Sequence, residues 1–315
     1  MTQDNDNQVD AGLDQGGIIP GTRKPAYSLK LPDDLPIPVL IAVPHAGRVY
    51  PDHLVKRMRR PDYSSIRLED RHVDQLGSLV ARQTGAGFLV AHAPRAMLDL
   101  NRATDDVDWD MIADSRPDGV RHSLANRRAR SGLGLIPRRL PGLGEIWSEM
   151  TSQAELDARI RQVHVPYHSA LSSALQTMRD QWGAALLLDF HSMPPLRKAN
   201  HDDLPAQFVL GDRFGASADD RLVASALRTL SDDGGRAAHN RPYAGGYVLD
   251  RHAAPARSIH AIQLEICRSL YLEKDMSSLS ADTAGLSARL AGLVRVIGEE
   301  VAALGRSRGQ PLAAE

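Results

Sequence analysis

The sequence predicts an α/β fold in which short buried strands alternate with helices along the chain. Four apolar runs of strand length are bounded by Pro, Gly or polar residues, which is typical of strands that are buried on both faces of a sheet. Segments with apolar residues at helical spacing follow these runs. Strands that alternate with helices indicate a layered α/β architecture.

The predicted elements can be placed in order. Strands are predicted at residues 37–43, 87–91, 184–190 and 259–266, with a weaker one at residues 207–211. Helices are predicted at residues 71–83, 153–182 and 219–230, and Pro166 must kink or divide the second because proline has no N–H to donate. The last helix is the clearest, and its apolar stripe consists of Leu286, Leu290, Leu293, Ile297, Val301 and Leu304.

The two ends of the chain are expected to be loose. Residues 1–30 and 306–315 are rich in Gly, polar and charged residues, so they predict a disordered N-terminal extension and a loose C-terminal tail. No stretch between them has the composition of a linker. We therefore expect a single domain over residues 31–305.

Composition excludes several classes of function. The 38 basic and 39 acidic residues give a net charge of -1, which argues against nucleic acid or an anionic membrane surface as a partner. The single cysteine, Cys267, excludes an intrachain disulfide and a thiolate metal cluster, and fits a reducing compartment. The polar N-terminus does not resemble a secretory signal, and the apolar runs are too short to span a bilayer. We expect a cytoplasmic protein that acts on small molecules.

Two histidines stand at the ends of predicted strands and indicate a metal site. His45 follows the first strand and His191 follows the third, and in open α/β sheets ligands bind at the carboxyl ends of strands. A hydrolytic zinc site needs about three protein ligands, commonly two imidazoles and a carboxylate. Glu69, Asp70 and Asp74 are the candidates for the carboxylate. The alternative for these acids is helix capping, which favours aspartate at a helix start.

A glutamate at the end of the fourth strand is the candidate general base. Glu265 has apolar neighbours on both sides, where an unpaired carboxylate is costly. In metal-assisted hydrolysis such a group takes a proton from water and passes it to the leaving nitrogen. A buried structural ion pair is the alternative.

Arginines in the long loop after the second strand indicate an acidic substrate. Arg95 and Arg102 bracket the segment, and Asn101 offers an amide beside them. A guanidinium binds a carboxylate through two parallel, charge-assisted hydrogen bonds. The alternative is that these arginines pair with Asp99, Asp105 or Asp106 in a solvated loop, as most surface arginines do.

Nine motifs in register resemble one family. They span about residues 35–274 and are PHAGRVYP, EDRHVDQL, PRAMLDLNR, LGLIPRRLPG, PYHSAL, DFHSMP, VLGDRFGAS, PYAGGY and IHAIQLEICRSLY. Together they resemble the N-formylglutamate amidohydrolase family. The resemblance implies a metallohydrolase domain with a three-layer α/β/α sandwich and a mixed central sheet, phosphorylase/hydrolase-like and related to zinc carboxypeptidases. It also implies cleavage of N-formyl-L-glutamate to formate and L-glutamate, a step of histidine degradation.

The resemblance further implies roles for particular residues. His45, Asp70 and His191 become the ligands of a divalent metal, with Zn²⁺ the first candidate, and Glu265 becomes the general base. The Asn101–Arg102 pair is similar to the carboxylate-binding Asn-Arg pair of zinc carboxypeptidases.

The acidic substrate and its transition state add three more candidates. We expect Arg95 to stabilise the oxyanion, since that interaction is often the largest single contribution to catalysis. Because N-formylglutamate has two carboxylates, Arg213 or Arg251 is expected to join Arg102 as a second cation.

One departure from the family pattern keeps other functions open. Family members usually have Thr-Arg-His-Tyr-Gly soon after the Gly-Gly-Tyr turn, whereas this chain has Leu249-Asp250-Arg251-His252-Ala253. The alternatives are therefore a hydrolase of the same fold that acts on another N-acyl amino acid or a peptide-like amide, and a catalytically silent metabolite-binding protein on this scaffold. The presence of Glu265 argues against the silent protein.

Overall fold

An eight-stranded mixed sheet forms the centre of the protein in the computed structural model, which describes residues 13–114, 127–197, 204–232 and 234–309. The strands are β1 (Leu13–Gly16), β2 (Tyr27–Lys30), β3 (Val39–Val43), β4 (Gly87–Ala91), β5 (Arg139–Leu140), β6 (Gly144–Glu145), β7 (Ala185–Met193), β8 (Phe208–Gly211), β9 (Ala237–His239) and β10 (Ile259–Cys267). Their order across the sheet is β1-β2-β4-β3-β7-β10-β8-β9, and β5 and β6 form a separate hairpin. Strands β4, β3, β7 and β10 run parallel at its centre.

Helices cover both faces of this sheet. Within the described residues they are α1 (Asp52–Arg57), α2 (Pro61–Leu68), α3 (Val73–Thr84), α4 (Arg127–Arg130), α5 (Gln153–Arg159), α6 (Val165–Trp182), α7 (Asp220–Asp232), α8 (Tyr247–His252) and α9 (Thr283–Gly309). All the predicted strands and helices have counterparts here, although β7 continues beyond its predicted end. No helix in these ranges combines the length and the apolar character needed to cross a membrane.

Alternate residues of the central strands pack into two separate cores. In β3, Val39, Ile41 and Val43 pack with α3, α7 and α9, whereas Leu40 and Ala42 face the core that contains α6. All five side chains are buried, because a parallel strand covered by helices has no solvent face. The predicted three-layer α/β/α architecture with a mixed central sheet is therefore confirmed.

The predicted helix at residues 153–182 continues through its proline. A π-helical turn (Ile160–His164) joins α5 to α6, and the N–H of Val165 donates to the carbonyl of Ile160. Pro166 lies two residues after this turn, in the first turn of α6, where a missing N–H is tolerated. The proline thus divides the helix without ending it.

The predicted loose ends need correction. Residues 13–30 do not form a loose extension, since β1 and β2 belong to the main sheet and β2 pairs with β4. Tyr27 and Leu29 are buried, so this short segment is anchored by two side chains and by backbone hydrogen bonds. At the other end, α9 continues to Gly309, beyond the predicted tail start at residue 306. Residues 1–12 and 310–315 lie outside the described ranges.

Candidate active site

A cleft of about 250 Å³ opens at the carboxyl ends of the parallel strands β3, β7 and β10. Its lining includes His45, Asp70, His191 and Glu265, which come from separate parts of the chain. Parallel strands end at the same edge of a sheet, which is why residues distant in sequence meet here.

His45 lies just after β3 and is buried, with 2% of its surface exposed. Its Nε2 lies 2.7 Å from Asp99 Oδ1, and its Nδ1 lies 3.6 Å from Asp70 Oδ2. Among the described residues Nδ1 has no hydrogen-bond partner. A buried polar atom without a partner is costly, so this nitrogen is available to a ligand from outside the chain.

His191 has a matching arrangement within β7. Its Nδ1 lies 3.2 Å from Asp70 Oδ2, and its Nε2 lies 2.8 Å from Asp189 Oδ2. The His45 and His191 rings are 4.7 Å apart between centroids. Each imidazole therefore has one nitrogen held by a carboxylate and directs the other toward Asp70, which is the usual environment of a metal-binding histidine.

Asp70 lies in the turn between α2 and α3, and its backbone N–H donates to the carbonyl of His45 at 2.9 Å. Its Oδ1 accepts hydrogen bonds from Ser192 Oγ (3.2 Å) and Arg268 Nη2 (3.3 Å). Burial raises the pKa of Asp70, but hydrogen bonds and charges from His191 and His45 outweigh burial and hold the pKa well below its ordinary value. The carboxylate is therefore ionised in the folded protein.

The two other candidate carboxylates have partners elsewhere. Glu69 accepts a hydrogen bond from Arg71 Nε at 3.0 Å, and Asp74 pairs with Arg48 at 2.8 Å. Helix α3 takes no side-chain cap from its N-cap residue, His72. Of the three acids, only Asp70 joins the two histidines.

The three side chains offer a donor set that fits a divalent metal. One ligand atom from each of His45, Asp70 and His191 lies within 4.8 Å of the others, and all three residues are buried. Two imidazoles and a carboxylate are the ligands of several hydrolytic zinc sites, which keep a fourth position open. The unpartnered Nδ1 of His45 supports this fit, since a bound cation would satisfy it.

Glu265 lies opposite His191 in the parallel register of β10 and β7, so both residues face the same side of the sheet. Its side chain is buried, and Gln263 Nε2 donates to its Oε1 at 2.9 Å. Burial raises the pKa of Glu265 to about 7, against the opposing effect of the His191 and Arg95 charges. A carboxyl group with this pKa can both accept and release a proton near neutral pH.

Arginines give the cleft its positive charge. Arg95 holds Asp99 Oδ2 through Nε and Nη2, each at 2.9 Å. Arg102 donates from Nε to the carbonyl of Leu133 at 2.9 Å and from Nη1 to the carbonyl of Asn101 at 2.6 Å. The arginines that line the cleft are Arg67, Arg95, Arg102, Arg128 and Arg268. With Asp70 and Glu265 as its acidic residues, the cleft has a charge balance suited to an anionic ligand.

Asn101 is fixed from two sides beside Arg102. Its Oδ1 accepts the N–H of Val248 at 2.9 Å, which directs Nδ2 toward Gln263 Oε1 at 3.4 Å. A Cβ on Gly246 would lie 2.5 Å from Asn101 Oδ1, so only glycine allows this close approach. The Gly-Gly turn of the sequence therefore serves to hold Asn101.

Arg213 and Arg251, which were expected to supply a second cation, are not among the residues that line this cleft, and Arg213 lines an adjoining cavity together with Asn101 and Arg102. Arg213 has a positive φ of 56° and donates from Nε to Asp250 Oδ1 at 2.6 Å. Arg251 lies on α8 and donates from Nη1 to the hydroxyl of Tyr247 at 2.6 Å. Arg67, Arg128 and Arg268, which sequence reasoning did not single out, line the cleft instead.

Sequence reasoning also missed the carboxylates that orient the histidines. Asp189 precedes His191 by two residues, so the period of a strand places both side chains on one face, and that signal was available. Asp99 meets His45 only through the tertiary fold. It was considered as a partner for the loop arginines, and it does pair with Arg95.

The sequence comparisons with known proteins match N-formylglutamate amidohydrolases and deformylases. A family model described as N-formylglutamate amidohydrolase matches residues 37–272. An N-formylglutamate deformylase from Pseudomonas putida is 32% identical over 245 residues, which cover 76% of this chain and 83% of that protein. Another from Pseudomonas aeruginosa is 28% identical over 282 residues, which cover 86% of this chain and 95% of that protein.

Solved structures agree with these sequence matches. The crystal structure of N-formylglutamate amidohydrolase from Ralstonia eutropha JMP134 has a TM-score of 0.78 and 30% identity, and the alignment covers 90% of this chain and 99% of that one. A structure from Agrobacterium tumefaciens has a TM-score of 0.60 at 17% identity, over 89% of this chain and 96% of that one, and shares the fold.

Proposed function

The chain belongs to the N-formylglutamate amidohydrolase family and is a hydrolase of linear amide C–N bonds, and we propose that its substrate is N-formyl-L-glutamate. The products are formate and L-glutamate, as in a step of histidine degradation in the cytoplasm. The family resemblance of the nine sequence motifs is thereby confirmed.

The main support for the proposal is that His45, Asp70 and His191 form a buried cluster beside Glu265 in a cleft lined by arginines. We propose that the cluster holds a divalent metal, with Zn²⁺ favoured by two imidazoles and one carboxylate. A bound dication would supply Lewis-acid activation of a water molecule and of the formyl carbonyl. Asp99 and Asp189 orient the two imidazoles and keep their second nitrogens protonated.

Glu265 moves the proton in this reaction. As the water oxygen adds to the formyl carbon, Oε of Glu265 accepts a water proton, and it then delivers that proton to the amide nitrogen as the C–N bond breaks. A pKa of about 7 suits both transfers. Arg95 lies in the cleft lining, where its positive charge offsets the negative charge that develops on the carbonyl oxygen.

The carboxylates of the substrate are bound away from the reacting carbon. Arg102 and the Nδ2 group of Asn101 bind one of them, because both lie in the cleft and both donate. Arg67 and Arg128, which also line the cleft, supply positive charge for the second. A substrate with two carboxylates therefore matches this cleft better than one with none.

A substrate panel tests the proposal. We expect formate release from N-formyl-L-glutamate with a kcat/KM at least 100-fold above that for N-formyl-L-leucine, which has the same scissile bond and one carboxylate fewer. N-acetyl-L-glutamate reports separately on the acyl group. Preference for N-formyl-L-leucine or for an N-acetyl substrate would indicate another N-acyl amino acid, and binding without turnover would indicate a silent protein.

A further inference from the structure

Three buried histidines lie behind the cleft, and the proposed reaction does not use them. His164 ends the π-helical turn, His168 lies one helical turn later on α6, and His252 ends α8. All three are buried, and none of them lines the cleft. The motif PYHSAL and the departure at residues 249–253 supply His168 and His252.

Two of these imidazoles hold the backbone on either side of Asn101. His164 Nε2–H donates to the carbonyl of Arg102 at 2.9 Å, and His168 Nε2–H donates to the carbonyl of Leu100 at 3.0 Å. The two rings are 4.3 Å apart between centroids. The segment that presents Asn101 and Arg102 is thus fixed by two donors from one helix.

The third histidine sets the orientation of the second. Because His168 Nε2 carries a proton to donate to Leu100, its Nδ1 must accept, and His252 Nε2–H donates to it at 2.8 Å. The same helix, α8, sends the N–H of Val248 to Asn101 Oδ1 at 2.9 Å. The π-helical turn and α6 therefore hold the backbone on either side of Asn101, and α8 holds the Asn101 side chain.

The three imidazoles are neutral at physiological pH. Burial lowers the pKa of His164, lowers that of His168 well below its ordinary value, and lowers that of His252 to about 3. The neighbouring charge of Arg251 lowers all three pKa values further. Each ring consequently has one donor and one acceptor nitrogen, as the hydrogen bonds require.

We propose that His164, His168 and His252 form a histidine cluster of positioning residues, which holds Asn101 and Arg102 in place to bind a carboxylate of the substrate. This inference rests on the proposed function, which assigns that carboxylate to Arg102. Since the carboxylate is remote from the reacting carbon, loss of a contact in the histidine cluster weakens substrate binding and leaves the chemical step largely unchanged.

The test is a steady-state comparison of His164→Leu with His164→Gln, using formate release from N-formyl-L-glutamate by the metal-loaded protein. We expect the leucine variant to raise KM about tenfold while kcat stays within about threefold, a loss in the range seen when orienting partners are removed. The glutamine variant should restore KM, because its Nε2 can donate to the Arg102 carbonyl. His260→Leu removes a buried histidine from the start of β10, at the opposite end of that strand from Glu265, and should leave KM unchanged.

Two measurements keep the test decisive. His252→Phe retains a ring on α8 but removes the donor to His168, so it should raise KM about threefold even if His164→Leu does not fold. Dissociation constants for L-glutamate, from calorimetry on the same variants, should follow the KM values. An unchanged KM in His164→Leu or His252→Phe, or a KM in His164→Gln as high as in His164→Leu, would refute the positioning role of the histidine cluster. Absence of formate release by the wild-type protein would instead overturn the proposed function.

Discussion

The substitution Glu265→Gln separates the chemical role of this side chain from its structural one. Glutamine has the same shape, and because Gln263 Nε2 donates to Oε1 at 2.9 Å, the new amide must place its oxygen there and its NH₂ group toward the cleft. Packing is therefore retained, while the group that accepts the proton is lost. General-base catalysis is worth about 10²–10⁴-fold, so kcat should fall by that factor, which corresponds to about 3–5 kcal/mol of activation free energy.

The same substitution should stabilise the metal-free protein. Burial raises the pKa of Glu265 from 4.5 to about 7, so between these pH values the folded state binds a proton that the unfolded state has released. Stability therefore falls as the pH rises through this window, by ~1.4 kcal/mol per pH unit and about 3 kcal/mol in all. Metal-free Glu265→Gln should avoid this loss, and its free energy of unfolding at pH 8 should exceed that of the wild type by up to this amount.

Both effects can be measured on one preparation. Formate release by metal-saturated protein gives kcat, and urea unfolding of metal-free protein at pH 5 and pH 8 gives the free energy of unfolding. Glu69→Gln is the matched control, since Glu69 is a buried carboxyl whose pKa burial also raises, but it pairs with Arg71 outside the cleft. Glu69→Gln should retain most of the activity. Activity of Glu265→Gln within tenfold of wild type would refute the role assigned to Glu265.

Three further predictions concern the surroundings of the site. Asp99→Asn weakens the 2.7 Å contact with His45 Nε2, so metal affinity measured by competition with a chromogenic chelator should fall about tenfold, and an unchanged affinity would contradict the orienting role. Arg102→Gln removes a charge-assisted contact worth about 1.5–3 kcal/mol, so KM for N-formyl-L-glutamate should rise about 10–100-fold. An unaltered KM would indicate that Arg102 does not bind the substrate carboxylate. His168 and His252 have folded-state pKa values below the unfolded value of 6.5, so the unfolded state binds more protons below pH 6.5. Stability should therefore fall on acidification, by up to ~1.4 kcal/mol per pH unit for each histidine. The melting temperature should fall less steeply with decreasing pH in His252→Phe than in the wild type, and equal slopes would refute the linkage.

The central layer of the fold could be predicted because its strands are continuous apolar runs. Strand β4 has the predicted bounds, and β3 and β10 end within a residue or two of theirs. Strand β1 escaped prediction because its sequence, LDQG, has exposed side chains and is held by backbone pairing with β2. Such an edge strand has no hydrophobic pattern to recognise.

The site was predictable where strands end and unpredictable where loops and helices fold over it. His45, His191 and Glu265 could be selected as candidates because the carboxyl ends of parallel strands meet at one edge of the sheet. Arg213 and Arg251 were candidate cations from the sequence, but in the structure their guanidinium groups donate to Asp250 and Tyr247. Side-chain direction in such segments depends on tertiary contacts that the sequence pattern does not encode.

Hydrolysis should depend on a metal ion held by His45, Asp70 and His191. Metal content can be measured by plasma mass spectrometry together with formate release on the same samples. The wild type should contain about one divalent ion per chain, lose activity when the ion is removed by chelation, and regain activity with Zn²⁺, while His191→Ala should retain neither metal nor activity. Full formate release by metal-free wild-type protein would show that hydrolysis does not need a metal at this site.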